Sequence, residues 1–264
     1  MSTAHPYVLA ETTWTTVQHA AYRVAVLPWG ATEAHNRHLP YGTDNYEVEH
    51  IAVEAARLAW ERGAKVIVLP TVPFGVNTGQ SDIPLCLNMN PSTQAALLKD
   101  LLLSIERAGI RKAVLLNGHG GNDFRAMIRE LVAVSPVFLC TVNWYLAAEP
   151  RRFFAHPGDH AGELETSVML AIAPGLVRPL DEAGQGAERR FRVQGLRNGL
   201  AWAPRRWSKI TDDTGVGDPR GASAEPGARF TEAVSLELAA FLVDLSAADP
   251  DDLYETEPGA HPSA

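Results

Sequence analysis

The sequence predicts one α/β domain built on a mainly parallel sheet flanked by helices. Short apolar runs alternate with stretches of helical periodicity, the pattern of consecutive βαβ units. A composition of 46% hydrophobic and 20% charged residues over 264 positions supplies a sizeable core and excludes chain-wide disorder. No internal repeat and no linker divides the chain. Residues 1–264 are therefore read as one domain, with its core over about 20–246 and a frayed tail over 247–264.

Residues 23–28 (RVAVLP) form a short buried strand closed by Pro28 and Gly30. Residues 46–62 carry apolar side chains at helical spacing and stop at Gly63, placed for the left-handed conformation that ends many helices. The second buried strand is 65–75 (KVIVLPTVPFG). The next helix begins at a capping residue, Asn90 or Ser92, and runs amphipathically to Gly109. Residues 111–123 (RKAVLLNGHGGND) are a third strand entering a glycine-rich turn, after which Asn122 or Asp123 caps a helix over 124–134. A fourth strand covers 137–145, and a helix over about 162–173 ends near Pro174. Residues 180–230 mix Gly, Arg, Trp and Pro without a period, which predicts loops and short strands near the site; the last helix is 226–248.

The net charge of −8, from 23 basic and 31 acidic residues, argues against a nucleic-acid partner, because the basic residues occur only as isolated pairs. Cys86 and Cys140 both sit among apolar neighbours and read as reduced core thiols, as in a cytosolic protein. The N-terminal stretch lacks a basic region followed by an apolar one, and no apolar run approaches the roughly 20 residues of a membrane helix. A cytoplasmic protein without a membrane partner is expected.

Ligands of open α/β sheets bind beyond the carboxyl ends of the strands, and three polar clusters lie there. In the first, EAHNRHLPYGTD, Glu33 and His35 leave the same face of an extended segment, and Asp44 can return to it after the turn at 40–42. These are mixed nitrogen and oxygen donors suited to Zn²⁺, Mn²⁺ or Fe²⁺; a solvated polar loop is the plainer alternative. The second cluster, NGHGGN, holds His119 where backbone can approach a ligand closely. It is neither a Rossmann nor a Walker loop, so a nucleotide-binding reading ranks behind a fourth metal ligand. The third, GDHAGELETS, places His160 and Glu165 before an apolar stretch that draws them inward; a first-turn charge explains Glu163 but not these two. Trp144, Tyr145, Trp202 and Trp207 are candidates for a pocket wall or for ordinary packing. The chain has neither a G-x-S-x-G elbow nor an H-E-x-x-H motif, and Cys86 has no basic neighbour to activate it.

Together LPWGATEAHNRHLPYGTD, LLNGHGGN, HAGELETSVML and TGVGDPRGASAEPGARF, in this order from about residue 24 to 230, resemble the creatininase (creatinine amidohydrolase) family. The resemblance implies a single α/β domain assembled into homo-oligomers, usually hexamers, and a site for one or two divalent ions, Zn, Mn or Fe. Carried over by position, it gives Glu33 and His119 to one metal, His35 to the other and Asp44 to both, with His160 passing protons to the leaving nitrogen. Creatininase itself also uses a glutamate where this chain has Gly121, so the missing oxygen falls to Glu165, or the second ion is weak or absent. Asn36-Arg37 stand where many relatives have Gly-Pro, and IPLCLNMNP (83–91) replaces the usual FPGT. NGHGGN is the form of relatives other than true creatininases, among them a formamide hydrolase and a mycofactocin-maturing peptidase.

The function this implies is a metal-dependent amidohydrolase, other than a true creatininase, that cleaves a C–N amide bond in a lactam, formamide or small peptide-like substrate with metal-activated water. His160 and Glu165 are its candidate catalytic residues, Glu165 doubling as a metal ligand. The alternative is a non-catalytic metal- or ligand-binding protein on the same fold.

Overall fold

The computed structural model describes residues 5–255. Four parallel strands form its sheet: β1 (Val24–Trp29), β2 (Val66–Val68), β3 (Lys112–Asn117) and β4 (Phe138–Asn143), in the order β2-β1-β3-β4. The first three are buried along their whole length, whereas β4, at one edge, is largely half-buried.

Side chains alternate between the two faces of a strand, so β1 and β3 feed two cores. Val24, Val26, Val114 and Leu116 pack with α2 (Thr43–Glu61), α5 (Glu163–Ile172) and α8 (Ala224–Ala247). Ala25, Leu27, Trp29, Ala113 and Leu115 pack against α3 (Pro91–Arg107) and α4 (Arg125–Leu131). The result is a sheet between two helical layers, the single-domain α/β architecture expected from the alternating runs. A shorter α1 (Trp14–His19) precedes the sheet, and α6 (Gln194–Arg197) and α7 (Trp207–Ile210) interrupt the long irregular stretch before α8.

Strand order places β1 at a switch point, because the chain leaves it for β2 on one side and returns to pair β3 on the other. Such a reversal opens a crevice at the carboxyl ends of the two central strands. The polar clusters after Trp29 and Asn117 border it.

Several elements differ from expectation. The second strand is cut to three residues, since Pro70 and Pro73 lack the N–H that a ladder needs; only an isolated bridge, Trp29 to Val72, continues it. Asn90 takes the first cap position of α3 but makes no capping bond; Pro91 starts the helix instead. Asn122 does not cap α4. Its side chain is buried and ties the glycine-rich turn to Val76, Gln94 and Asn117, while Asp123 accepts from the Arg125 N–H at 3.1 Å. Residues 180–222 form turns and two four-residue helices, with no named strand among the described residues. The core also begins before residue 20: Tyr7 and Val8 are buried, and Val8 bridges to Val68. Behind α8, Arg111 pairs with Asp251 at 2.7 Å; residues 256–264 of the expected tail lie outside the described part.

Candidate metal centre

Glu33 and His35 follow β1, Asp44 lies in the first turn of α2, His119 follows β3, and His160 and Glu165 flank the start of α5. Folding brings all six together. Glu33, His35, Asp44 and His119 are each at most 6% exposed, which requires charge compensation.

Two donor sets share Asp44. Glu33, Asp44 and His119 offer ligand atoms within 4.8 Å of one another, and so do His35, Asp44 and Glu165. Asp44 Oδ1 lies 2.9 Å from His35 Nε2, and Oδ2 lies 3.0 Å from His119 Nδ1, which is also 2.8 Å from Glu33 Oε1. A third set joins Glu33 and His35 to His160, whose Nδ1 stands 3.9 Å from Glu33 Oε1.

Tautomers follow from the opposite edges of the rings. His35 Nδ1 lies 3.1 Å from the Glu33 carbonyl, His119 Nε2 3.1 Å from the Val76 carbonyl, and His160 Nε2 2.8 Å from the Ala34 carbonyl. A carbonyl oxygen only accepts, so each of those nitrogens carries the hydrogen. In the neutral rings the other nitrogen then turns a lone pair toward carboxylate oxygens. Asp44 Oδ1 meets His35 Nε2, while Oδ2 lies 3.0 Å from His119 Nδ1 without a well-aligned hydrogen bond. Lone pairs converging on carboxylates repel unless a cation lies between them, and a backbone-anchored imidazole is the usual companion of a ligated metal. The residues therefore fit a divalent ion of borderline hardness.

The electrostatics carry the same demand for positive charge. Burial opposes ionisation of His35, yet Asp44 outweighs it and pushes the imidazole up to about 10. His119 is likewise raised, burial losing to Glu33 and Asp44. Burial would raise Asp44 and Glu33, but His35 and His119 respectively lead the groups that hold them low. Glu165 goes the other way, raised by burial.

Local backbone serves the cluster. Asn36 adopts a left-handed φ of 56°, which asparagine tolerates, so the turn survives without the glycine of many relatives. Ala161, at φ 51°, is strained; its N–H donates a short hydrogen bond to Glu165. A side chain at Gly121 would put its Cβ 2.4 Å from both His119 Nε2 and the Val76 oxygen, so the anchor on His119 occupies the space an acidic ligand would need.

The cluster opens into a cavity of about 870 Å³, and Trp144, Tyr145, Trp202 and Trp207 all line it. The Trp207 ring lies tilted against His160 at 5.4 Å between centroids, and the His35 ring packs against the same imidazole at 4.2 Å.

Cys86 is not a core thiol. It is half-buried in the loop before α3, accepts from the Ala34 N–H and contacts Gln80, which donates to Glu33. Gln80 carried no signal in the sequence. Glu47, fully buried one turn after Asp44 with neither oxygen partnered, was also missed, although residues 44, 47, 48 and 51 share one helical face. Burial, then Glu165 and Asp44, raise it well above the ordinary glutamate range.

Comparison with known proteins agrees with the fold and the motifs. A creatinine amidohydrolase structure from Bacteroides fragilis, its activity provisionally assigned, shares 42% identity over 97% of this chain and 100% of its own, at a TM-score of 0.89. The mycofactocin precursor peptide peptidase of Mycolicibacterium smegmatis is 29% identical over 82% of this chain and 83% of its own length. The creatinine amidohydrolase of Pseudomonas putida is 26% identical over 58% of this chain, a match spanning 66% of that enzyme. The family pattern described as creatininase, creatinine amidohydrolase, matches residues 10–242, and the chain belongs to the creatininase family.

Proposed function

We propose that the protein is a metal-dependent hydrolase cleaving the C–N amide bond of a lactam, a formamide or a small peptide-like substrate other than creatinine. The observation that carries this reading is Asp44, which presents one oxygen to each of two imidazoles and belongs to two donor sets at once. In this reading Glu33, Asp44 and His119 hold one ion, and His35, Asp44 and Glu165 a second. Solved creatininases include a Zn–Zn type and a manganese form, and this mixed nitrogen and oxygen set suits either metal, or iron. A divalent ion at such a site lowers the pKa of water from 15.7 towards roughly 7 and polarises a carbonyl.

The chain's own groups account for the rest. His160 keeps its Nε2 hydrogen on the Ala34 carbonyl, which leaves Nδ1, 3.9 Å from Glu33 Oε1, as the proton carrier of this cavity-lining residue. From Nδ1 the proton passes to the departing nitrogen, the step that turns an amide into a leaving amine. Trp207 and His35, both packed against it, restrict rotation of the ring. Burial around the cluster limits bulk water, so each charge acts strongly on the others.

The substrate is a small amide that fits the cavity, and the family resemblance supports a homo-oligomer, a hexamer, as the working form. No partner nucleic acid is proposed for a chain of net charge −8. Among the described residues no helix is long and apolar enough to cross a membrane.

Elemental analysis of gently purified protein, followed by a screen of lactams, formamides and short peptides, tests the reading. Turnover that stops on chelation and returns with the metal supports it. Activity surviving exhaustive chelation overturns it, and metal binding without turnover of any amide favours the non-catalytic alternative.

A further inference from the structure

A chain of hydrogen bonds leads from the backbone beside Glu33 back to the Glu33 carboxylate. The Ala34 N–H, which can only donate, meets Cys86 Sγ at 3.2 Å. The thiol hydrogen is thereby left for Gln80 Oε1, 3.1 Å away. With its oxygen engaged, the Gln80 amide must turn its nitrogen the other way, and Nε2 donates a short hydrogen bond to Glu33 Oε2. The flipped amide would set an oxygen against a carboxylate oxygen and a nitrogen against a donor. Every link has one permitted direction.

The loop carrying these residues is itself fixed. Asn77, three residues before Gln80, is buried; its side-chain nitrogen donates to the Leu87 carbonyl at 3.1 Å and its backbone N–H to Asn88 Oδ1 at 2.8 Å. Gln80 is 3% exposed, so little water competes for its amide. Cys86 lies in the stretch where this sequence departs from the FPGT of its relatives.

We propose that Gln80, its amide oriented by the Cys86 thiol, is the positioning residue of Glu33: it occupies Oε2 and so reserves Oε1 for the ion. Oε1 is the oxygen 2.8 Å from His119 and 3.9 Å from His160. A Glu33 carboxylate free at both oxygens can rotate to chelate with both or to pair with His160. The clamp excludes both arrangements. It rests on the metal-dependent reading above and assigns the orientation of Glu33 to two residues outside the donor sets.

The test uses the full chain, stripped of metal and titrated with Zn²⁺, and in parallel with Mn²⁺, against a competing chromophoric chelator. Gln80→Ala and the isosteric Gln80→Glu are expected to weaken ion binding about 10–100-fold, the usual effect of losing an outer partner of a ligand. Cys86→Ser keeps a donor and is expected to bind like the wild type, whereas Cys86→Val is expected to weaken binding. In the Gln80→Ala background Cys86→Val is expected to add nothing, because the thiol acts only through the amide; a merely structural loss would add. If the alanine variant does not fold, Gln80→Glu decides. Unchanged affinity in the Gln80 variants, or additive losses in the double variant, overturns the clamp alone. A wild type that binds neither ion overturns the clamp and the metal-dependent reading together.

Discussion

His35 Nε2 lies 2.9 Å from Asp44 Oδ1, in a pair that is almost wholly buried, while the other Asp44 oxygen faces His119. One carboxylate therefore joins two loops that leave different strands.

Asp44→Asn is expected to empty both halves of the site. The amide keeps the shape but removes the shared charge and sets an N–H₂ against a ring nitrogen. Loss of ion affinity should exceed the 10–100-fold that outer partners cost, and turnover should vanish with it. Metal-to-protein ratios by elemental analysis check this, and a variant that keeps its full metal complement would refute the bridging role.

His160→Gln should behave differently. If His160 moves protons, kcat falls about 10²–10⁴-fold while the ion content stays that of the wild type. If instead it serves the third donor set with Glu33 and His35, metal and turnover fall together. Paired metal analysis and steady-state kinetics separate the two.

Gly121→Ala is expected to weaken ion binding without touching a ligand. Its Cβ would come within 2.4 Å of His119 Nε2 and the Val76 oxygen, so the bond that fixes the imidazole must break. Overpacking of this kind costs about 1–3 kcal/mol, which a shifted urea midpoint would report. Restoring the family's acidic residue by Gly121→Glu meets the same obstacle and should fail to add a ligand.

Glu47→Gln is expected to stabilise the chelated protein at about pH 8 and to be neutral in acid. Burial leads the groups raising Glu47, so the folded chain retains a proton that the unfolded chain releases above the ordinary glutamate value of 4.5. Wild-type stability from this group is thus full below that value and declines as pH rises towards the folded pKa. Glutamine removes the dependence. Urea unfolding of both proteins across this range checks the sign: equal slopes with pH would show that Glu47 is ionised in the folded state.

Strands and the ends of strands were legible because a buried strand writes a continuous apolar run, and Glu33, His35 and His119 follow such runs directly. What failed has physical causes. The neighbours of Cys86 are apolar, yet Leu85 is 78% exposed, because they line a surface loop with no periodicity to tell it from a core. Gln80 was invisible because its partners are remote in sequence and a polar loop residue has no spacing to betray it. Glu47 could have been found from its helical phase, since it shares the inward face of α2 with Asp44, but a carboxylate there contradicts its own burial. Such a contradiction is what a site's surroundings look like in sequence.

The loops that carry the candidate ligands spring from the two central strands, while the irregular stretch that contains α6 and α7 contributes one wall of the cavity above them. On the proposed reading, the ion ligands and much of the substrate contact would then come from different parts of the chain. Exchanging that wall would, on this reading, refit the cavity to new substrates, with the exposed Trp202 as the natural place to begin, since Trp207 packs on His160.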